Sequence, residues 1–337
     1  MMKSVNMEEE ISMLKVGLVG AGGMGAVHAA ALAGMRGAKL VGVVDAREEA
    51  ARRLVEQAGV AHYTSLDELV SAENPNLIDI CLPTDLHKEY AVRAAELGKH
   101  VFCEKPMARS SEEAQAMVEA CRKAGVKLMI GHVLRFSPEY RTAKQMVEDG
   151  RLGRVGTVRM IREGAAPGWS AWFGDNKRSG GVLLDLAIHD MDWLRWTFGE
   201  AERVYAKLAG TEQGLPGEHA VVSIRMKSGV IAHITGSWAQ PDGFRTFLEL
   251  AGTGGVAKFD SADTYSIKTT LRGEERLTHQ LESPLEPDGY FHELQHFIDC
   301  IASGTEPSVN GEDAAQSLEL ALAAIRSAET GQVVFLS

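Results

Sequence analysis

Cysteine is scarce in this chain, with four residues among 337. No two cysteines stand at the CxxC spacing of a redox or metal motif. So low a density argues against a disulfide scaffold and is typical of reduced, mostly buried thiols in the cytoplasm. We therefore expect a cytoplasmic protein with reduced thiols at Cys81, Cys103, Cys121 and Cys300.

Long apolar runs are also missing. No stretch approaches the roughly 18 apolar residues of a membrane-spanning helix, so none is predicted. The N-terminus lacks the apolar segment of a signal peptide, and Glu8, Glu9 and Glu10 stand where that segment would lie. Residues 1–12 are therefore predicted to be an extension outside the fold, and no membrane partner is expected.

An excess of basic residues is absent as well. The chain has 35 Lys and Arg against 46 Asp and Glu, a formal net charge of −11. Sequence-independent nucleic-acid binding needs a basic face that displaces phosphate counterions, so this balance argues against a nucleic-acid partner. Apolar residues make up 45% of the chain, enough for packed cores, and the length suggests two domains.

What the sequence does contain, from Leu14 to about Val133, is an alternation of apolar strand-length runs and helical stretches. Such an alternation predicts a parallel sheet with right-handed crossovers, that is, a doubly wound α/β domain over residues 13–133. The predicted strands are 14–19, 39–44, 77–82, 100–103 and 127–131, and the predicted helices are 24–35, 48–58, 64–69, 87–97 and 111–124.

The rhythm changes over residues 134–337, where strand-like runs follow one another with short turns between them. This pattern predicts an α/β domain with an antiparallel meander. One helix is expected over Val182–Thr197, and the last helix is a candidate to pack back on the first domain. The predicted elements are helices 139–148, 182–197, 290–302 and 311–330 and strands 155–162, 203–208, 218–226, 230–237, 246–251 and 256–259.

A glycine-rich segment directly follows the first strand and opens the first helix. A bare GxGxxG match is weak, because a glycine turn without a ligand is an equally good interpretation. Here the strand before it and the helix after it favour a pyrophosphate on the helix N-terminus. The predicted dinucleotide loop is Gly20, Ala21, Gly22, Gly23, Met24 and Gly25.

Asp45 ends the second strand, about twenty positions after the loop, where a carboxylate binds the adenine ribose hydroxyls. A carboxylate there also repels a 2′-phosphate, so the sequence favours NAD. Ala46 and Arg47 follow it, and Arg47 is placed to meet a phosphate, which leaves NADP as an alternative.

Two clusters offer proton-handling groups for hydride chemistry. Lys105 stands in Glu104-Lys105-Pro106 at the end of a strand; the alternative is an ordinary surface lysine. Asp185 and His189 are four positions apart and would share one helix face, as a base with its carboxylate or as a structural pair.

A zinc site is not predicted. Asp185, His189, His132 and His87 are possible ligand types, but no HxxxH or CxxC spacing brings them together. Asp190 is expected to face away from the Asp185–His189 pair.

These motifs together resemble the Gfo/Idh/MocA oxidoreductases, and the resemblance covers nearly the whole chain from Lys15. It rests on four segments in order: the glycine loop, Leu82-Pro83-Thr84-Asp85-Leu86-His87, the run from Gly98 to Pro106, and Gly180-Gly181-Val182-Leu183-Leu184-Asp185 continuing to His189. It implies a Rossmann domain and a C-terminal α/β domain for substrate binding and oligomerisation. That second domain has an open, mainly antiparallel sheet that often makes the dimer or tetramer contact.

The same resemblance implies roles for individual residues. Lys105 would touch the substrate hydroxyl and the nicotinamide, and Asp185 and His189 would complete the catalytic group with His189 as proton acceptor. The family often has asparagine where Thr84 stands, so the hydrogen bond of that position is in question here. The residues expected to line the nicotinamide and its ribose are Leu82, Pro83, Thr84, His87, Glu104 and Lys105.

Substrate contacts are expected from segments that face the cleft. Aromatic rings stack on the apolar side of a sugar, and arginine binds hydroxyls or a carboxylate. Arg135, Trp169, Trp172 and Arg178, with His189, are the predicted substrate residues, while packing of a loop or a subunit contact is the alternative for the tryptophans. Tyr290 and His292 are weaker candidates.

The function expected on these grounds is NAD(P)-dependent oxidation of a secondary hydroxyl on a sugar, cyclitol or related polyol, or the reverse reaction. Three alternatives stay open: a reductase or dehydrogenase of a non-sugar diol or ketone, an NAD-dependent glycosidase, and a non-catalytic NAD-sensing regulator. A homodimer or homotetramer with a small-molecule substrate is expected.

Overall fold

A computed structural model of the chain describes residues 13–166, 172–210, 217–241, 243–263, 267–272, 277–282 and 288–336. The predicted N-terminal extension and Trp169 lie outside the described residues. Within the described part, no helix is both long and apolar enough to cross a membrane.

The first half is built on a six-stranded sheet in which every neighbouring pair is parallel. Its order, β3-β2-β1-β4-β5-β6, is that of a doubly wound dinucleotide-binding fold, which confirms the predicted fold class. The strands are β1 (Leu14–Val19), β2 (Ala38–Val44), β3 (Ala61–Tyr63), β4 (Leu77–Ile80), β5 (His100–Glu104) and β6 (Leu128–Gly131).

The crossover helices of this sheet follow the predicted pattern with one shift. Ser65 caps the third helix by accepting from the backbone N–H of Glu68, so the helix begins at Leu66 and runs beyond the predicted end. The helices are α1 (Gly23–Ala33), α2 (Glu48–Ala58), α3 (Leu66–Glu73), α4 (His87–Glu96) and α5 (Ser111–Ala124), with 3₁₀ turns at Thr84–Leu86 and Val133–Arg135.

The second half contains a nine-stranded sheet in the order β14-β13-β12-β11-β7-β10-β9-β8-β15. Its neighbours are antiparallel except β7 and β10, which confirms the mainly antiparallel sheet. The strands are β7 (Val155–Glu163), β8 (Ala201–Ala209), β9 (His219–Met226), β10 (Ile231–Ser237), β11 (Arg245–Gly252), β12 (Gly255–Asp260), β13 (Ile267–Arg272), β14 (Leu277–Glu282) and β15 (Val334–Phe335).

The single helix predicted over Val182–Thr197 is wrong, because the chain breaks between Asp185 and Ile188. The backbone N–H groups of Leu186 and Ala187 both donate to the carbonyl of Val182, which closes the first segment on a turn. The helices of this half are α6 (Pro138–Glu148), α7 (Asn176–Ser179), α8 (Gly181–Asp185), α9 (Ile188–Phe198), α10 (Gly289–Ser303) and α11 (Gly311–Thr330).

The last two helices connect the halves. α10 packs against α1, and α11 packs against α5 and β6 as well as against β8 and α9. The main hydrophobic core therefore runs from Val16 in the first sheet through Trp193 to Ala324 in the last helix. This packing joins the second half to α1, α5 and β6 of the first half.

Candidate active site

The glycine loop lies at the carboxyl end of β1, where the strand order reverses between β1 and β4. Gly20 has φ +102°, which L side chains rarely adopt, and a Cβ there would overlap the Cys81 carbonyl. A Cβ on Gly25 would overlap the Gly20 carbonyl oxygen, so the close approach of helix to strand requires glycine at that position.

Open space lies on the outer side of the same loop. A Cβ at Gly22 or Gly23 would meet no atom within 4 Å, and α1 begins at Gly23 with no side-chain cap on its first N–H groups. Free N–H groups at a helix N-terminus beside uncovered glycines fit a pyrophosphate. Ala21 and Met24 complete this cradle.

Asp45 is hydrogen-bonded to the backbone of the glycine loop. Its Oδ2 accepts from the backbone N–H of Ala21 at 3.0 Å, and its Oδ1 accepts from that of Arg47 at 2.9 Å. The Arg47 side chain is 75% exposed with Nε 3.6 Å from Asp45 Oδ1, so it is free to turn, and Ala46 is exposed between them. A ribose contact by Asp45 stays a prediction.

The predicted nicotinamide wall lies after β4, in Leu82, Pro83 and Thr84. Thr84 is buried, and its hydroxyl has no hydrogen-bond partner among the described residues. His87 is also buried, with Nδ1 2.9 Å from the Pro106 carbonyl oxygen and Nε2 2.8 Å from that of Leu82. His87 therefore braces the wall against the segment after β5, and its predicted place beside the nicotinamide ribose stays a prediction.

Lys105 follows β5 and reaches across to the second half. Its Nζ donates to the backbone carbonyl of Asp185 at 2.7 Å and to Asp185 Oδ1 at 3.2 Å. The Lys105 side chain is only 14% exposed and that of Asp185 5%. An ammonium with three donors uses two of them here, so one N–H remains for a ligand.

The predicted pair of Asp185 with His189 does not form. Asp185 ends α8 and is bonded to Lys105, while His189 lies in α9 beyond the chain break. His189 Nδ1 has no hydrogen-bond partner in the described part of the chain. Burial and the nearby Lys105 ammonium lower the pKa of His189 well below its usual value, so the imidazole is neutral at pH 7.

Asp190 follows His189 in α9 but pairs with Arg162 of β7. Both of its oxygens accept from Arg162, Oδ1 from Nη2 at 2.9 Å and Oδ2 from Nε at 3.2 Å. This buried ion pair fixes α9 against β7 and thereby the orientation of His189.

Arg135 is not in the cleft, contrary to the prediction that it binds substrate. Its Nε and Nη2 donate to both oxygens of Asp192 at 2.8 and 2.6 Å, and Nη1 donates to the Ser308 carbonyl. A further contact joins Nη2 to Asp313 Oδ2 at 2.6 Å. The guanidinium is buried and fully engaged, so Arg135 ties α9 and α11 to the turn after β6.

α7, which carries Arg178, contacts the 3₁₀ turn Thr84–Leu86 after β4. Arg178 Nε donates to Asp85 Oδ2 at 2.9 Å, and its side chain is still 40% exposed. Trp172 is partly exposed and stacks on Phe173 with ring centroids 4.0 Å apart. Both stay candidates for substrate contact, whereas Trp169 lies outside the described residues.

The structure also reveals a buried polar cluster behind Lys105 that the sequence analysis missed. It consists of His28, Asp79, Glu104 and Glu293, and the two groupings of potential metal ligands in the described residues both contain His28. A signal was present, since Asp79 interrupts an otherwise apolar buried strand. Only the fold, however, joins residues so far apart in sequence.

Comparison with known families decides which proteins share this architecture. Residues 14–132 match the family model described as "Oxidoreductase family, NAD-binding Rossmann fold", and residues 140–258 match the "GFO/IDH/MocA C-terminal domain". The chain belongs to the Gfo/Idh/MocA oxidoreductase family. The resemblance stated from sequence is thus confirmed, and so are the predictions of an oxidoreductase and of NAD as cofactor.

Several curated relatives and solved structures of other proteins match this chain along most of its length. Myo-inositol 2-dehydrogenase of Thermotoga maritima is 33% identical over 96% of this chain and 98% of its own. 1,5-Anhydro-D-fructose reductase of Ensifer adhaerens is 31% identical over 88% of this chain and 90% of its own. The WlbA dehydrogenase of Bordetella pertussis, solved with NADH and UDP-GlcNAcA, is 26% identical, covers 96% and 98% of the two chains, and has a TM-score of 0.83.

Proposed function

We propose that this Gfo/Idh/MocA protein transfers a hydride between nicotinamide C4 and a secondary hydroxyl or ketone of a sugar, cyclitol or related polyol. The observation that carries the proposal is the Lys105–Asp185 pair at the carboxyl edge of the first sheet, with Lys105 Nζ 2.7 Å from the Asp185 carbonyl oxygen and 3.2 Å from Oδ1. On the next helix lies a neutral His189 whose Nδ1 has no hydrogen-bond partner among the described residues. Residues 13–133 would bind the dinucleotide, and residues 134–337 would supply the substrate wall and the subunit contact.

Residues already in place fit NAD. The loop from Gly20 to Gly25 would take the pyrophosphate, Asp45 the adenine ribose, and Pro83 and Thr84 the nicotinamide side. The bound nicotinamide supplies the redox step, and the protein positions it and handles the proton. The same loop accepts NADP if Arg47 turns toward the 2′-phosphate, which keeps NADP as a secondary cofactor.

Lys105 would bind the reacting hydroxyl oxygen through its remaining N–H. Asp185 holds the other two ammonium donors, so it fixes the direction of this third one. A fixed ammonium beside the oxygen stabilises the negative charge that develops there as the hydride leaves.

His189 would accept the hydroxyl proton. Its neutral imidazole has a free acceptor at pH 7. The Lys105 charge that lowers the pKa of His189 also keeps a proton from occupying it before substrate binds. Asp185 therefore acts on Lys105 and leaves His189 free.

The names of the relatives support the substrate class. By name, one relative is a dehydrogenase of myo-inositol, a cyclitol, and another is a reductase of 1,5-anhydro-D-fructose, an anhydro-sugar. In this chain the exposed guanidinium of Arg178 and the ring of Trp172 are suited to hydroxyls and to a sugar face. Trp169 stays in the proposal on sequence grounds alone.

A panel of inositols, aldoses, anhydro-sugars and non-sugar diols, each with NAD and NADP, tests this function through NADH absorbance. We expect reduction of NAD with at least one cyclic polyol. Activity confined to non-sugar diols would overturn the substrate class. Glycoside cleavage without net NADH, or tight NAD binding without turnover of any substrate, would instead support a glycosidase or a sensor.

A further inference from the structure

Four ionisable side chains from four elements meet behind Lys105, shielded from solvent. They are His28 of α1, Asp79 of β4, Glu104 at the end of β5 and Glu293 of α10, all of them buried. Buried ionisable groups are costly unless they are paired, so this arrangement calls for a physical reason. The proposed hydride transfer uses none of His28, Asp79 and Glu293.

His28 contacts a carboxylate through each of its ring nitrogens. Nδ1 lies 3.0 Å from both oxygens of Asp79, and Nε2 lies 3.0 Å from Glu104 Oε1. A neutral imidazole carries one N–H and cannot donate at both sites, whereas an imidazolium can. Burial opposes the charge, but the Asp79 carboxylate raises the pKa of His28 well above its usual value.

Glu104 connects His28 to the backbone of Lys105. Its Oε2 accepts from the backbone N–H of Lys105 at 3.1 Å, while Oε1 is held by His28. Although burial favours the neutral acid, the hydrogen bond from His28 lowers the pKa of Glu104, which keeps it ionised. An unbroken polar chain therefore runs from Asp79 through His28 and Glu104 to the backbone of Lys105.

Glu293 closes the cluster from the side of α10. Neither of its carboxyl oxygens has a hydrogen-bond partner among the described residues, and the residue is fully buried. One of its oxygens, a Glu104 oxygen and a His28 nitrogen lie within 4.8 Å of one another. Burial and the charge of Glu104 raise the pKa of Glu293 well above its usual value, which favours the neutral acid.

The remaining polar neighbours of His28 carry no charge at neutral pH. Cys81 Sγ lies 3.2 Å from Nδ1, and burial raises the pKa of this thiol far above neutrality. The Tyr290 ring centroid lies 6.1 Å from that of His28, and burial raises the pKa of its hydroxyl as well.

We propose that His28 and Glu293 are positioning residues of the active site. His28, as an imidazolium between Asp79 and Glu104, holds the Glu104 carboxylate and through it the backbone of Lys105. Glu293, as a neutral acid within 4.8 Å of that carboxylate, places no second negative charge beside it. The proposal rests on the dehydrogenase function, and its tests are chosen so that each can fail alone.

The ionisation states are tested without substrate. Nitrogen NMR of ¹⁵N-histidine protein is expected to show His28 protonated at both nitrogens at neutral pH. Infrared difference spectra of wild type and Glu293→Gln should show the loss of one protonated carboxylic-acid band. A neutral His28, an absent band, or a stoichiometric metal ion bound at His28 would each overturn the proposal.

Kinetics test the positioning role. We expect His28→Gln to lower kcat by about tenfold to a hundredfold and to leave KM and the NAD dissociation constant within about threefold, because Lys105 is displaced slightly while the binding surfaces remain. Glu293→Gln preserves shape and neutrality and should retain near wild-type kcat, whereas Glu293→Ala should lower it.

His296→Gln is the matched control, because His296 lies one turn further along α10 and bonds the Ser308 backbone instead. It should leave kcat unchanged. Equal kcat in His28→Gln and wild type, or a Glu293→Gln variant as impaired as Glu293→Ala, would contradict the proposal.

Acylation of Lys105, followed by mass spectrometry, measures its placement even if no polyol is oxidised. The rate should rise severalfold in His28→Gln and stay constant in His296→Gln. An unchanged rate in both overturns the positioning role. A lower rate in His28→Gln would contradict the positioning role as well. A raised rate in a protein that oxidises no polyol supports the positioning role and refutes the dehydrogenase function.

Discussion

At the scale of single residues, His189 makes the pH dependence of the reaction predictable. As the proton acceptor it works only when neutral, and its pKa in the folded protein lies well below the usual value. Activity is therefore retained as pH falls through about 6.5, the ordinary histidine pKa, and is lost only at lower pH.

The measurement is the pH profile of kcat/KM for the oxidation in wild type and His189→Gln. We expect the acidic limb of wild type below the ordinary histidine range, and a variant about a hundredfold to ten-thousandfold slower without that limb. An acidic limb of the wild-type profile at or above about pH 6.5 would contradict a neutral His189 whose pKa is lowered by burial and by the Lys105 charge.

Asp45 gives the second prediction at this scale. Asp45→Ala removes the ribose acceptor and the contact with the Ala21 backbone, so NAD affinity should fall about tenfold or more. NADP should lose less, because repulsion of its 2′-phosphate disappears at the same time. Titration with both cofactors measures the ratio; equal losses for NAD and NADP would refute the ribose role.

Several of these residues were predicted from the sequence, but their observed partners were not. Because Pro106 ends the strand, the sequence places Lys105 at the edge of the sheet where a ligand binds. Its partner Asp185 is 80 residues away, and only the fold brings the two together. Arg135 has the residue type of a substrate contact, yet the buried Asp192 claims its guanidinium. Residue type and spacing therefore indicate what a side chain could do, but they do not show which side chain it contacts.

At the scale of elements, the Arg135 ion pair holds α9 and α11 to the turn after β6. Arg135→Leu would leave the fully buried Asp192 without its main partner and should cost about 3–5 kcal/mol of unfolding free energy. Denaturant unfolding measures this loss.

The double variant Arg135→Leu/Asp192→Leu, which leaves no orphaned charge, is the control and should recover much of the stability. A single variant as stable as wild type would show that the pair does not hold the helices together.

The helices and strands with the clearest sequence patterns were predicted with the most accurate bounds. The strand Leu14–Val19 and the helix Gly311–Thr330 have the predicted bounds, because a continuous apolar run and a long amphipathic repeat decide them. β13 and β14 read as polar segments, and β3 and β15 are very short, so sequence alone gives them no signal. The break after Asp185 carries neither proline nor an obvious cap.

At the scale of the whole molecule, the outward face of the nine-stranded sheet carries exposed apolar side chains. Tyr205 in β8, Val221 in β9 and Ile231 in β10 are each more than one-third exposed. On the neighbouring strands these side chains stand opposite Ser223, Lys207 and Arg225, so the exposed face mixes apolar and charged residues. We expect the subunit contact of the predicted homodimer or homotetramer on this face.

Val221→Arg tests that prediction, since it places a charge beside Lys207 on the same face. Light scattering should show a dimer or tetramer for wild type and a smaller species for the variant, with Val221→Thr unchanged. A wild-type monomer, or a variant that keeps its size, would contradict an interface on this face.

In the proposed reaction, Lys105 contacts the reacting hydroxyl while the glycine loop holds NAD. The direct measurement is the single-turnover rate of NADH formation in wild type and Lys105→Ala with the best polyol, together with NAD affinity. We expect the rate of Lys105→Ala to be lower by about a thousandfold with NAD affinity within about threefold, as for a group that acts mainly in the transition state. An unchanged rate, or a loss explained entirely by weaker NAD binding, would contradict it.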